Sequence, residues 1–423
     1  MNTLSPFQTD RSFASSQDKA DTLHFLKERF YLPAAPKGGI STYMCSNSLG
    51  CQARTASTYV EQVMEQWKEI AVKGHFQGKH PWTTYHEELD ILMSKVVGGK
   101  AEEVTIMNTL TVNLHLMMVS FYRPTPSRYK ILVEGNAFPS DLYACESQIR
   151  FHGFEPEESL LKIFPREGEE LLREEDIFQL ITEKGEEIAL VMLGGLNYYT
   201  GQVLDMEAIT IAGHEKGCLV GFDLAHAAGN VPLSLHEWGV DFASWCTYKY
   251  MCSGPGGPSA VFIHERWLGE KNIPRFEGWW GHDKKERFLM EPHFKAIPTA
   301  EAWQLSNAPI LPLATLRASL EIFDEMGMEA LRHKSIALTD YLAYLLQPLV
   351  GDGSIRILTP MDAERRGAQL SLFFSSRGKE QFQKLMEAGV ICDWREPNVI
   401  RLAPSPLYNT FEDIWIAANA LTG

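Results

Sequence analysis

CLVGFDLAHAAGN (residues 218–230) and DFASWCTYKYMCSGPGG (residues 241–257) decide the fold. The first opens as an apolar run that stops at an acid, the pattern of a buried strand delivering Asp223 to the carboxyl edge of a sheet. Open α/β sheets bind their ligands at that edge. The second repeats the pattern: an apolar run ends just before Tyr248 and Lys249, and a turn with Gly254, Gly256 and Gly257 follows. Working outward, short apolar runs recur at Val104–Met107, Lys130–Val133, Ile188–Leu193 and Ala260–Ile263, separated by stretches with helical spacing. Such alternation predicts an α/β sheet. ALVML and LVGF are apolar without interruption, as parallel strands covered on both faces should be.

Towards the termini the pattern changes. Residues 55–72 space Tyr59, Val63, Met64, Trp67, Ile70 and Ala71 as an amphipathic helix, after a polar and loose lead. Beyond Pro298–Pro312, which holds three prolines and reads as a linker, come a long helical pattern from Leu313 to Leu346, the strand-like LSLFF, EQFQKLMEAG and a final helix. The expected division is a segment 1–74 at the edge of the site, a large domain over 75–307 and a smaller α+β domain over 308–423. The 423 residues carry 39 Lys+Arg against 54 Asp+Glu, a net charge of −15, which repels nucleic acid and anionic membrane. Seven cysteines without a CxxC pair argue against a disulfide framework and a zinc site, so no metal is expected. With no secretory leader or spanning segment in the pattern, the expected location is the cytoplasm.

A lysine after one strand and an aspartate ending another suit pyridoxal 5′-phosphate (PLP). The amine of Lys249 condenses with the cofactor's aldehyde, and Asp223 keeps the pyridine nitrogen protonated so that the ring accepts electrons. Alone, each residue is unremarkable, because strand-end aspartates usually cap helices and lysines before glycines are usually surface residues. A phosphate needs the backbone N–H groups of a helix start. VTIMNTLTVNLHLMMVSFY (residues 104–122) runs from strand to helix and offers Leu110 and Thr111 there. YKILVEGNAFPSDLYA brings Phe138, Pro139, Ser140 and Asp141 to the same edge, with an aromatic ring able to stack on the pyridine.

Taken in order, NSLG (47–50), MNTLTVNLHL (107–116), FPSD (138–141), NYYTGQ (197–202), GFDLAHAAGN (221–230), CTYKY, GWWGH (278–282) and RLAPSPLYN (401–409) resemble kynureninase over nearly the whole chain. The resemblance implies the aspartate-aminotransferase-like fold type I: a mainly parallel, seven-stranded-type sheet sandwiched by helices, with a smaller α+β domain. It implies hydrolytic Cβ–Cγ cleavage of L-kynurenine or its 3-hydroxy form to anthranilate or 3-hydroxyanthranilate and L-alanine, a step of tryptophan degradation towards NAD. Lys249 would be the Schiff-base lysine and proton carrier, Asp223 the pyridinium partner and Tyr248 a proton donor. Leu110, Thr111 and Tyr248 would hold phosphate, Phe138 would stack on the ring, and Ser140, Asp141 and His226 would surround the cofactor. Trp279 and Asn307 match positions contributed by a neighbouring subunit, so the resemblance implies a homodimer. Arg401 would bind the substrate α-carboxylate, while Ser48, His75 and Asn307 would line its aryl end. Animal members have serine where this chain has Gly194.

The rival readings are a cysteine desulfurase or decarboxylase on the same scaffold, and a non-catalytic binding module. A desulfurase needs a nucleophilic cysteine on a loop of the second domain, where Cys392 is the only candidate. A binding module has no need of Asp223 and Lys249 together.

Overall fold

A computed structural model describes residues 7–423; residues 1–6 of the polar lead lie outside the described residues. The apolar runs form one large sheet of β1 (Val104–Ile106), β2 (Lys130–Glu134), β3 (Leu160–Ile163), β4 (Ile188–Gly194), β5 (Leu219–Asp223), β6 (Phe242–Cys246) and β7 (Ser259–Ile263). Their order across the sheet is β1-β7-β6-β5-β4-β2-β3. The pairs from β6 through β3 are parallel, and only β7 runs antiparallel to its neighbours β1 and β6. This is the expected mainly parallel seven-stranded sheet, with β3 its one strand that sequence periodicity did not single out. β4 buries every residue up to Gly194, and β6 buries all five of its residues, because helices cover both faces.

The strands β2, β4, β5 and β6 therefore all end on one edge. Register places Gly194 beside Asp223, and Asp223 beside Ser244. Helix α4 (Leu110–Phe121) leaves β1 and helix α5 (Pro139–Phe151) leaves β2, each with its N-terminus at that edge.

A second sheet, all antiparallel, is built from β8 (Ile355–Ile357), β9 (Leu370–Phe374), β10 (Asp393–Arg395) and β11 (Val399–Leu402), in the order β8-β9-β11-β10. Its own core includes Leu342, Leu370, Leu372, Leu385 and Ile414. The long helical pattern splits into α8 (Ile310–Met326) and α9 (Met328–Leu345) at Gly327, whose φ of +74° suits a residue without a side chain. Leu313, Leu320 and Leu331 belong to the core of the large sheet, and Ala337 and Leu338 to that of the small one. The hydrophobic core thus changes hands within α9, not at the boundary 307/308.

Two local expectations are corrected. The lead is not loose throughout: Arg11–Ala20 form α1, capped by Asp10, whose side chain accepts from Phe13 N at 2.9 Å. Asp18 then caps the last helix, α11 (Phe411–Thr422), accepting from Phe411 N at 2.6 Å and Glu412 N at 3.0 Å. Phe13 and Ala14 are the only apolar residues this helix buries, too few to give a visible period. Nor is Pro298–Pro312 a free linker. Trp303 is 2% exposed and donates Nε1–H to Ser120 Oγ at 2.9 Å, while Gln304 bonds Thr105 of β1 at 2.8 Å. Among the described residues no helix is long and apolar enough to cross a membrane, and all seven cysteines are buried.

Candidate active site

A cleft of about 490 Å³ opens at the edge where β2, β4, β5 and β6 end. The turn after β6 is fixed from two sides. Ser253 N donates to Thr247 O at 3.2 Å and Cys252 N to Lys249 O at 3.1 Å, closing it on itself. From the N-terminal segment, Gly50 N donates to Tyr248 O at 2.8 Å; a Cβ on Gly50 would collide with the Lys249 carbonyl and the Cys252 sulfur. The glycine of NSLG is thus a condition for this close approach.

The turn aims Lys249 Nζ at His226 Nε2, 2.9 Å away. Burial, together with the charge of Lys249 and then of Arg401, holds His226 well below the ordinary histidine range. A neutral imidazole therefore accepts from the ammonium. Its buried Nδ1 has no partner. Asp223 ends β5, and its Oδ1 accepts from Ala225 N at 2.7 Å. Asp141, in the first turn of α5, adjoins it; burial first, and then the Asp223 carboxylate, push Asp141 well above the usual carboxylate range. Burial raises Asp223 too, although the Ala225 N–H and Lys249 oppose it. The two carboxyls thus face each other in a buried site, an arrangement that favours a cation beside them.

At the start of α4, Thr109 caps the helix without a side-chain bond, leaving its hydroxyl free beside the first-turn amides of Leu110 and Thr111. The corner before it is held by Asn113, whose Nδ2 donates to Met107 O at 2.8 Å and whose Oδ1 accepts from Asn108 Nδ2 at 3.0 Å. Asn108 sits at φ +50°, a region asparagine tolerates better than most residues. Phe138 stands half exposed at the cleft, its ring edge-on to Tyr198 at 5.4 Å. Ser140 Oγ donates to Asp141 Oδ1 at 3.2 Å. Burial moves the Tyr248 phenol upward, so it stays protonated at neutral pH.

Across the cleft, Arg401 is 1% exposed on β11 and faces its register partner Asp393 on β10. Nε donates to Asp393 Oδ1 at 2.7 Å, Nη2 donates to Oδ2, and Nη1 donates to the Tyr198 carbonyl at 2.6 Å. Arg395 Nη2 approaches the same Asp393 at 3.4 Å. Two guanidiniums thus share one carboxylate, leaving this corner positive and suited to an anion.

Of the residues singled out in the sequence, Ser48, Leu110, Thr111, Phe138, Ser140, Asp141, Asp223, His226, Tyr248, Lys249 and Arg401 line the cleft. Pro139 only starts α5. His75, Trp279 and Asn307 do not line it. The His75 ring lies edge-on to Trp82 at 5.2 Å, Trp279 is edge-on to Phe288 at 5.3 Å, and Asn307 is exposed. Sequence reading passed over Glu134, Asn197, Tyr198 and Arg395, which also line the cleft. For Glu134 a signal was available: KILVE ends in an acid as LVGFD does.

A lysine amine, a carboxyl pair lacking a cation, an orphaned imidazole nitrogen and a helix start with free hydroxyls fit what PLP demands of a protein. Solved structures give the class of fold. A cysteine desulfurase from Escherichia coli is similar with TM-score 0.74 at 16% identity, covering 95% of this chain and 98% of its own. C-DES carrying glycine covalently linked to its PLP cofactor gives TM-score 0.73 at 19% identity, covering 90% and 96%. These neighbours share the fold of this chain.

The family model of the kynureninase C-terminal domain matches residues 331–421. The kynureninase of Myxococcus xanthus is 54% identical over 423 residues, 100% of this chain and 99% of that protein. Human kynureninase is 47% identical over 432 aligned residues, 98% of this chain and 93% of its own. The chain belongs to the kynureninase family. The desulfurase reading falls with this, and Cys392 is unsuited to it: the thiol is 6% exposed and burial pushes its pKa well above the ordinary value.

Proposed function

We propose that this chain hydrolyses the Cβ–Cγ bond of L-kynurenine or 3-hydroxy-L-kynurenine, releasing L-alanine and anthranilate or its 3-hydroxy form, as a cytoplasmic homodimer with PLP bound at Lys249. The observation that carries the reading is a single cleft lined by Lys249, Asp141 and Asp223 together with Arg395 and Arg401, the two guanidiniums that share Asp393. PLP bound there supplies an electron sink for charge that develops at the substrate's Cα and Cβ.

The side chains do the rest. Leu110 and Thr111 hold the phosphate with first-turn amides and a hydroxyl, Phe138 covers one face of the ring, and Asp223 keeps the ring nitrogen protonated. Arg401, braced by Asp393 and the Tyr198 carbonyl, takes the α-carboxylate. Lys249 Nζ, with neutral His226 beside it, takes the proton from Cα and returns it. Water adds across the γ-carbonyl to give a gem-diol; as the Cβ–Cγ bond breaks, the Tyr248 hydroxyl gives its proton to Cβ and takes one from the diol, which is left as the carboxyl group of the aryl product.

An exposed apolar face supports the dimer. Phe76, Phe288, Leu289, Met290 and Trp279 are all about half exposed or more, and Phe76 and Trp279 both pack on Phe288. A contiguous aromatic surface of this kind marks an interaction site. With that face covered by a second copy, His75, Trp279 and Asn307 reach the partner's cleft, where His75 and Asn307 read the aryl ring.

The test is direct. Purified protein with added PLP should show a visible absorption band that borohydride bleaches and that Lys249→Ala lacks. L-kynurenine should then give fluorescent anthranilate and an equal amount of L-alanine, and Lys249→Ala should reduce the rate roughly 10⁴-fold or more. A band that survives Lys249→Ala sinks the cofactor assignment. Turnover of neither kynurenine compound sinks the reaction.

A further inference from the structure

Glu134, the strand-end acid of β2, is tied to both ends of the cleft. It is 4% exposed, and the charges of Asp223 and Asp141 lie close enough to interact with its carboxyl. Its Oε1 accepts from Gly194 N at 3.2 Å, an approach that leaves little room, since a Cβ on Gly194 would lie 3.0 Å from that oxygen. Its Oε2 accepts from Asn197 Nδ2 at 2.7 Å.

Asn197 then organises the turn that follows. Its Oδ1 accepts from Tyr199 N and Thr200 N at 2.9 Å each and from Thr200 Oγ1 at 3.2 Å. Closed in this way, the turn presents the Tyr198 carbonyl to Arg401 Nη1 at 2.6 Å, with Gln369 Nε2 bracing the same carbonyl at 3.0 Å. A continuous path of polar contacts runs from Glu134 through Asn197 and Tyr198 to the guanidinium.

We propose that Glu134 is a positioning residue for the reaction: by fixing Asn197 it sets the turn that holds Arg401 where the substrate α-carboxylate docks. The inference rests on the reading of Arg401 given above.

The contact has a polarity that can be inverted. Both Glu134 oxygens face donors, so Glu134→Gln sets an NH₂ group against either Asn197 Nδ2 or the Gly194 N–H. Asn197→Asp sets two carboxylates face to face. In the double variant, the amide introduced at 134 donates to the carboxylate introduced at 197. That carboxylate still accepts from residues 199 and 200, and the amide oxygen still accepts from Gly194 N.

The test compares the full-length, PLP-loaded wild type, both single variants and the double variant. Each single variant should raise KM for L-kynurenine about tenfold while kcat changes less than about threefold, with the cofactor absorbance retained. The double variant should return KM to within about threefold of wild type. Calorimetric binding of L-alanine, which has the α-carboxylate and no aryl group, should weaken and recover in parallel. Recovery in both readouts supports the inference. It is overturned if KM and L-alanine affinity are unmoved by the single substitutions, or if the double variant is as impaired as the worse single one. Where Asn197→Asp does not fold, Glu134→Asp replaces it: the shorter acid keeps the charge and loses the reach, so the same KM rise is expected, and an unchanged KM overturns the inference. If wild type leaves L-kynurenine intact yet L-alanine binding follows the predicted pattern, the substrate reading fails and the positioning role stands.

Discussion

At the end of the cleft where Lys249 meets His226, each polar side chain is held by a strand end or a helix start of the same chain. The residues that the resemblance assigns to a neighbouring subunit or to the aryl end are different: His75 and Trp279, on 3₁₀ turns, and Asn307, on an irregular stretch, lie outside the cleft. Parallel strands that end on one edge bring their terminal side chains together as a consequence of register alone. Surface turns have no such constraint, so what they contribute to depends on the surface that covers them. Under the homodimer proposed above, one chain would complete the first end of the site and a second copy the other.

Short of removing Lys249 itself, removing the Asp223 charge should have the largest effect. Asp223→Asn should lower kcat roughly 10³-fold while leaving Lys249 able to form its borohydride-sensitive band. An unchanged rate would mean that the carboxyl pair is incidental.

The cofactor end also has a cost in the absence of its ligand, and that cost can be read in stability. Burial pushes Glu134 up to about 7 from an ordinary 4.5 although donors face both its oxygens, so ionising it costs more in the folded apoprotein than in the unfolded chain. Its contribution to stability is full below about pH 4.5 and is lost as the pH rises to about 7, because there the unfolded chain ionises freely while the buried carboxyl resists. Wild-type apoprotein should therefore lose on the order of 3 kcal/mol relative to Glu134→Gln across that window. Denaturant unfolding at several pH values measures the difference, and a parallel pair of curves would show that Glu134 is not held in a low-dielectric site.

The smallest effect is expected at the aryl end, and it bears directly on the comparison. Asn307→Ala should shift the ratio of kcat/KM for the two kynurenine substrates by about tenfold. Mixed with inactive Lys249→Ala under conditions that exchange subunits, it should yield activity above the sum of the separate preparations. In such hybrids one cleft has an intact lysine and the partner's intact Asn307. Strict additivity would place Asn307 in its own chain's cleft and erase the difference between the two ends.

The legible parts of the site were those carried by strong local patterns. An apolar run ending in an acid and a second run followed by a lysine and a glycine-rich turn were each weak signals, and their pairing singled out Asp223 and Lys249. The same rule applied to KILVE would have found Glu134, which was missed because no cofactor atom demanded a third acid. Asn197 and Tyr198 lie in NYYTGQ, a motif that carried the resemblance but no assigned role: the Tyr198 contribution is a backbone carbonyl, which any residue has, and the Asn197 side chain acts only within its own turn and on Glu134. α1 was misread because a helix that buries only Phe13 and Ala14 among its apolar residues has almost no period. The residues of Pro298–Pro312 were taken for a linker because proline content reports local geometry and says nothing of Trp303 packing against the first strand of the sheet.

By itself, then, the sequence determined the α/β sheet and the edge to which Lys249 and Asp223 are delivered, because strand periodicity and strand-end chemistry are local properties of the chain. Only the tertiary structure decided that Asp141 is buried against Asp223, that Arg401 is shared between Asp393 and a carbonyl far away in sequence, and that Gly50 must lack a side chain for the lysine turn to close. Those facts depend on distances between segments that sequence spacing does not encode.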